Sequence, residues 1–259
     1  MNKICSLLQL SEIIKIAKSE GRTKVSNYFP NPTIHTRWIN RGELSIHSGT
    51  NSDFLIHNRT NYREIIFFSK DYDTLKQDLD VLLENLEKPA VIEIISKGIA
   101  QKSIPINAVL KRMMRVGQPT PNPVSPKINV IRMEDIVEIM DIFKHNFHAA
   151  LERVPDIEEI RDLIAKGSIL VYRTDNEHIV GFIVYELIGS SIHLRYWWVD
   201  ASMRNKGIGS ALMNSFFYVG KETKRQYLWV FDDNENAIKR YKHYGFEFDG
   251  MQDQISLFE

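Results

Sequence analysis

Arg204, Gly207 and Gly209, spaced Arg-x-x-Gly-x-Gly, are the residues of this chain whose types and spacing most clearly fit a chemical task. Residues 192–199 before them read as a strand, and Ile208, Ala211, Leu212 and Phe216 behind them fall at helical spacing. A basic, glycine-containing turn at a helix start presents free backbone N–H groups and a partial positive charge. Glycines let a ligand approach that backbone closely. The chemistry predicted is anion binding, and phosphate suits it best. A dinucleotide fingerprint is the rival reading. It fails because Leu212 stands where the third glycine should fall, and because the turn comes late, outside an opening strand–helix–strand unit.

The second half of the chain frames this turn. Residues 128–131 read as a first strand, and Ile136, Ile139, Met140, Phe143 and Phe147 fall on one helical face. Ile157, Ile160 and Ile164 mark a second helix that ends near Gly167. Strands are expected at 168–173, 178–188 and 192–199, then the glycine turn with its helix, a strand at 227–231, a helix at 236–244 stopped by Gly245, and short strands near 246–248 and 255–257.

The first half has its own order. Residues 11–18 predict a short helix, 28–32 a turn-rich loop, and 43–47, 53–57 and 64–69 three strands. Leu75, Leu79, Leu82, Leu83 and Leu86 form one helical stripe, stopped by Pro89; residues 91–95 read as a buried strand and 106–114 as a closing helix. His35, His47 and His57 are scattered without zinc-like spacing and read as surface or loop histidines. Trp38, with Arg37 and Arg41 nearby, fits packing better than a binding surface. Pro119, Pro121, Pro123 and Pro126 are four of nine prolines and predict an extended, semi-rigid segment. The expected organisation is an α+β N-terminal domain over 1–118, a proline-rich linker over 119–127 and a second domain over 128–259, with no long repeat between the halves.

Thirty-three basic residues balance 33 acidic ones, so bulk charge supports neither nucleic acid nor an anionic membrane as a partner. Cys5 is the only cysteine, which suits a reducing compartment. Residues 1–10 are too short and mixed for a signal peptide, and no apolar run approaches a membrane span, so a cytoplasmic protein is expected. His145 and His148 lack a carboxylate or cysteine partner at metal-ligand spacing, and no metal is expected.

Two motifs together carry a resemblance. The first is Arg204-x-x-Gly207-x-Gly209 after a strand ending in Val199-Asp200. The second is Asn234-x-x-Ala237-x-x-x-Tyr241-x-x-x-Gly245-Phe246 after a strand ending in Phe231. In order, spacing and strand–helix context the second half resembles the GCN5-related N-acetyltransferase (GNAT) superfamily. The resemblance implies a twisted mixed sheet flanked by helices, with acetyl-CoA or another acyl-CoA as cosubstrate. It implies direct transfer of the acyl group to a primary amine, on a small molecule or peptide, within a ternary complex. It implies a pyrophosphate site on the N–H groups of Asn205, Lys206, Gly207, Ile208, Gly209 and Ser210, with charge from Arg204. The pantetheine arm would run along Trp197, Trp198 and Val199, where the family splays two central strands, and an N–H near Trp198 or Val199 would polarise the thioester carbonyl.

Tyr241 matches the tyrosine that protonates the departing thiolate in the family; packing of a buried aromatic is the alternative. Asn234 fits a cofactor contact and equally a helix N-cap. Alternation places His193, Arg195, Trp197 and Val199 on one strand face. His193 fits a general base or a partly exposed strand histidine, and Glu186 is a second candidate base. The first domain would cover the acceptor side, or be a degenerate copy of the same fold. A homodimer stays open. The rival functions are a non-catalytic acyl-CoA sensor and a protein-interaction module; Tyr241 beside the binding loop favours the enzyme.

Overall fold

The structure, a computed structural model, describes residues 1–98 and 101–259. The chain forms two compact units: Met1–Leu110 with His148–Arg153 and Met251–Glu259, and Lys111–Phe147 with Val154–Gly250. The first begins with β1 (Asn2–Lys3), α1 (Leu7–Ser19), β2 (Val25–Ser26), α2 (Pro32–Arg41), β3 (Leu44–Ser48), β4 (Ser52–Asn58), β5 (Arg63–Ser69), α3 (Tyr72–Asn85) and β6 (Ala90–Lys97). After β7 (Ala108–Val116), which enters the second unit at Lys111, come β8 (Ile128–Val130), α4 (Ile136–Asn146), α5 (Ile157–Ala165), β9 (Ile169–Arg173), β10 (Ile179–Ile188) and β11 (Ser191–Val199). Then follow α6 (Ile208–Val219), β12 (Arg225–Phe231), α7 (Glu235–His243) and β13 (Glu247–Phe258), whose last residues return to the first unit. The proline segment 119–126 lies within the second unit.

Apart from β2, which the first unit inserts between its two opening helices, both units repeat one element order: a strand, two helices, three antiparallel strands, a helix and a parallel strand. In the first, β3, β4 and β5 are antiparallel neighbours and α3 leads to β6, parallel to β5. In the second, β9, β10 and β11 are antiparallel and α6 leads to β12, parallel to β11. β1 adds to β3 and β8 to β9 in the same antiparallel way. β6 takes β13 as its other neighbour, and β12 takes β7. The whole is a mixed α+β fold.

Apolar spacing explains most elements. Leu75, Leu79 and Leu82 of α3 are buried against Phe54, Ile56, Ile65, Phe67 and Ile92. Ile208, Leu212, Met213 and Phe216 of α6 cover one face of the second sheet, while Ile139, Phe143, Ile160 and Leu163 of α4 and α5 cover the other. Each such side chain contributes about 1.5–3 kcal/mol through removal from water. Among the described residues no helix is long and apolar enough to cross a membrane.

Several expectations need correction. Residues 106–114 are not a closing helix: β7 occupies Ala108–Val116. Ile106, Val109, Leu110, Met113 and Met114 fit a helical stripe locally, but tertiary partners decide. Arg112 pairs with Asp249 at 2.7 Å and Arg115 donates to Gln226 at 2.7 Å, so both neighbouring strands hold the segment extended. The chain after the turn-rich loop forms α2, capped by the Asn31 side chain on the Ile34 N–H, with Pro32 at its start and Gly42 in the left-handed conformation at its end. The two closing strands are one continuous β13. His35 and His57 are buried rather than superficial. His57 stacks on Trp38 with ring centroids 3.8 Å apart and meets Glu64 at 3.0 Å, which fixes Trp38 as a packing residue.

Candidate active site

A fork in the second sheet makes the site. β11 and β12 pair in parallel from Ser191↔Arg225 to Leu194↔Leu228 and no further. At that point β11 carries a bulge. Opposite the adjacent β10 residues Val184 and Tyr185 stand Tyr196 and Leu194, so Arg195 is the extra residue. A bulge bends its strand, and β11 leaves β12 here. On the far side β11 stays paired with β10, and the Asp200 N–H donates to the Val180 carbonyl at 3.0 Å. Antiparallel alternation then turns the backbone groups of Trp198 toward β10 and those of Trp197 and Val199 into the open wedge. The N–H groups in the wedge therefore belong to Trp197 and Val199, not Trp198, whose ring stacks on Phe182 at 5.5 Å within the α4–α5 core.

The wedge leads to the glycine turn. Asp200 closes a short 3-10 turn, Ala201–Met203, through its carboxylate on the Ser202 N–H. Arg204 Nε donates to the Val199 carbonyl at 3.3 Å, tying the guanidinium to the strand end. Asn205 (φ +62°) and Gly207 (φ +79°) are both left-handed, which turns successive N–H groups to one side. Gly207 caps α6 without any side-chain hydrogen bond. The first N–H groups of α6 therefore have no side-chain cap among the described residues, and stand beside Arg204 and Lys206. A Cβ on Gly209 would lie 3.1 Å from Trp197 Cζ2, so only glycine fits unperturbed between the helix start and that indole.

Tyr241 approaches from α7. Its ring lies 5.7 Å from that of Trp197 and 6.1 Å from that of Phe246. Burial pushes its phenol well above its ordinary value near 10, and the Arg240 charge only partly opposes this. Asn234 caps α7 by accepting from the Ala237 N–H at 3.1 Å. Tyr244 packs edge-on against Trp197 and donates to Ser210 Oγ at 3.1 Å, joining the ends of α7 and α6. The Trp197 Nε1–H is buried without an acceptor among the described residues, a donor that a ligand in the wedge would satisfy.

Glu186 and His193 stand on the opposite face of the sheet, directly across the β10–β11 ladder from each other. His193 stacks flat on Tyr227, centroids 4.5 Å apart. Arg195 ion-pairs with Glu159 of α5 at 2.7 Å and lies 3.7 Å from Glu186. The expectation that His193, Arg195, Trp197 and Val199 share one face is thus overturned. Strict alternation fails at the bulge: His193 and Arg195 face the α5 side, while Trp197 and Val199 face α6.

A forked sheet, an uncapped helix start in a basic turn, and a partly buried tyrosine at the mouth coincide with a match of residues 136–246 to the acetyltransferase (GNAT) family model. The C-terminal half of this chain carries a GNAT-family domain. Among curated relatives, the spermine/spermidine N(1)-acetyltransferase of Bacillus subtilis (strain 168) is 29% identical over 86 residues, 29% of this chain and 57% of that protein. The L-amino acid N-acetyltransferase AaaT of Escherichia coli (strain K12) is 40% identical over 62 residues, 23% of this chain and 38% of that protein. The match therefore spans under two thirds of either relative. A solved tandem GNAT protein from the clavulanic acid biosynthesis pathway shares the fold over 95% of both chains, with a TM-score of 0.57 and 11% identity.

Within the GNAT domain the structure brings together Trp197, Val199, the turn Arg204–Ser210 and Tyr241, with Asn234 at the start of α7; Glu186 and His193 meet on the other face. One residue escaped the motif reading. Arg240 places its guanidinium 5.7 Å from the centroid of the Trp197 ring, beside the start of α6, and forms no ion pair among the described residues. It is a third cation at the turn, found only once α7 is seen to lie against α6. Arg240→Gln is expected to weaken acetyl-CoA binding about fivefold, about 1 kcal/mol for one partly exposed charge, and to flatten its salt dependence. Titration calorimetry at two ionic strengths checks this.

Proposed function

We propose that the second unit transfers an acetyl group from acetyl-CoA to a primary amine by direct attack in a ternary complex. The observation that carries this reading is the wedge beyond Leu194↔Leu228, where unpaired β11 backbone, the uncapped start of α6 and Tyr241 converge. Acetyl-CoA supplies an activated thioester when bound. The N–H groups of residues 205–210, with Arg204 and Arg240, hold its diphosphate. Trp197 offers its wedge-facing backbone groups, and Val199 its N–H, as a strand would, and one of these N–H groups stabilises the developing oxyanion, an effect of about 3–4 kcal/mol. Tyr241 protonates the sulfur as the amine attacks. Asn234 orients α7 and contacts the cofactor with its remaining amide donors.

The amine enters from the face that carries Glu186, His193 and Tyr227. Glu186 or His193 takes its proton, directly or through water. The two relatives named for spermine or spermidine and for L-amino acids make polyamines and amino acids the first acceptors to try. The test is release of CoA thiol on mixing the protein with acetyl-CoA and a panel of such amines, with the N-acetyl product weighed by mass spectrometry. Turnover on at least one amine is expected; tight CoA binding without turnover on any would replace the enzyme with an acyl-CoA sensor.

A pH profile separates the roles. Tyr241 must be protonated to act, and its raised pKa keeps it so through the alkaline range. The rate is therefore expected to rise with pH as the base and the amine lose protons, with no fall below about pH 10. Glu186→Gln or His193→Gln, whichever removes the base, should lower kcat/KM about 10–100-fold on the rising limb.

A further inference from the structure

We infer that the first unit carries a decommissioned copy of the same cofactor wedge, filled by its own chain, so that one polypeptide binds one acyl-CoA. The count rests on reading the wedge of the second unit as the acyl-CoA site. The repeated element order makes β5, α3 and β6 the counterparts of β11, α6 and β12. The fork is repeated too. β5 and β6 pair in parallel from Arg63↔Ala90 to Ile65↔Ile92 and then separate. In the second unit no strand among the described residues pairs with the corresponding edge of β11. In the first it is occupied.

The occupant is the stretch from Val25 to Asn27. β2 pairs antiparallel with the separated end of β5, Val25 opposite Ser69 and Ser26 opposite Phe68, on the edge that β6 has left. Asn27 fills the crotch of the fork. Its amide nitrogen donates to the Ile65 carbonyl at 3.0 Å and to the Glu93 carbonyl at 2.9 Å, bridging the two strands, and its oxygen accepts from the Phe67 N–H at 2.7 Å. Ser26 Oγ donates to the Phe67 carbonyl at 2.7 Å. The backbone groups that a pantetheine arm would use are thus already satisfied, and a ligand could gain them only by expelling a bonded strand.

The phosphate end is closed independently. The turn from β5 into α3 holds no glycine. Asp71 caps α3, its carboxylate accepting from the Thr74 N–H at 2.8 Å and from Thr74 Oγ1 at 2.9 Å. Those bonds hold its pKa below the ordinary value, so it stays ionised at neutral pH. A negative charge sits where the second unit presents the uncapped Gly207, and a diphosphate would meet repulsion and a spent donor. Arm and phosphate are excluded by different residues.

Calorimetric titration of the full chain with CoA is expected to give one site per polypeptide. Gly207→Glu, checked for native circular dichroism, should abolish that site and leave none. Hydrogen–deuterium exchange of the wild-type protein should show CoA-dependent protection over residues 197–210 and none over 65–74. Two sites, a site surviving Gly207→Glu, or CoA protection over 65–74 would overturn the inference. A wild-type chain with no CoA site and no protection at 197–210 would instead sink the reading of the second unit, while agreeing with an occupied wedge in the first.

Discussion

Tyr241→Phe is expected to lower kcat about 10²–10³-fold while changing acetyl-CoA affinity less than about twofold. The substitution removes one oxygen and keeps the ring contacts with Trp197 and Phe246, so packing at the mouth of the wedge survives. What is lost is a proton held where sulfur must leave. Burial raises the phenol pKa, which makes Tyr241 a reluctant acid before the reaction but guarantees that the proton is present. A thiolate forming beside it then has a positioned donor at hand. Steady-state kinetics with acetyl-CoA and a turned-over amine, paired with calorimetry, check the split between kcat and binding. If Tyr241→Phe turned over normally, Tyr241 would be a packing residue only.

The second large effect concerns binding. Gly207→Glu is expected to raise the Kd for CoA more than about 100-fold, roughly 3 kcal/mol. Two causes add. Gly207 has φ +79°, where a side chain costs about 1–2 kcal/mol. The new carboxylate would also stand at the start of α6, competing with the diphosphate for the same N–H groups and repelling it. Gly207 has open space where a Cβ would sit, so steric collapse of the core is not part of the effect. Gly207→Ala, which keeps the strain and lacks the charge, should fall between the two.

The parts of the fold governed by local rules were legible in the sequence. α3 follows from its leucine stripe, α6 from the run behind the glycines, and the turn itself from its helix-start chemistry. The misreadings share another cause. The segment of β7 is ambiguous in period, and only Asp249 and Gln226, far away in sequence, decide for a strand. The bulge at Arg195, where the side chain pairs with Glu159 of a distant helix, is not revealed by any alternation pattern, and it puts His193 on the face opposite Trp197. His57 looked superficial because its partners, Trp38 and Glu64, come from separate elements. α2 alone had local signals that could have been used: Asn31, Pro32 and Gly42 are an N-cap, a first-turn proline and a left-handed terminus. The fork of the second unit was expected only through the family resemblance, and that of the first was beyond sequence reading, because a fork is an absence of pairing between strands that both look ordinary.

The most direct test of the wedge as the seat of acyl transfer is a crystal structure of the acetyl-CoA complex. The thioester oxygen is expected within about 3.2 Å of the Val199 or Trp197 backbone nitrogen, with the sulfur in hydrogen-bond reach of Tyr241 Oη. Acetyl-CoA bound away from β11, or a thioester more than about 5 Å from both nitrogens and from Tyr241, would contradict the account.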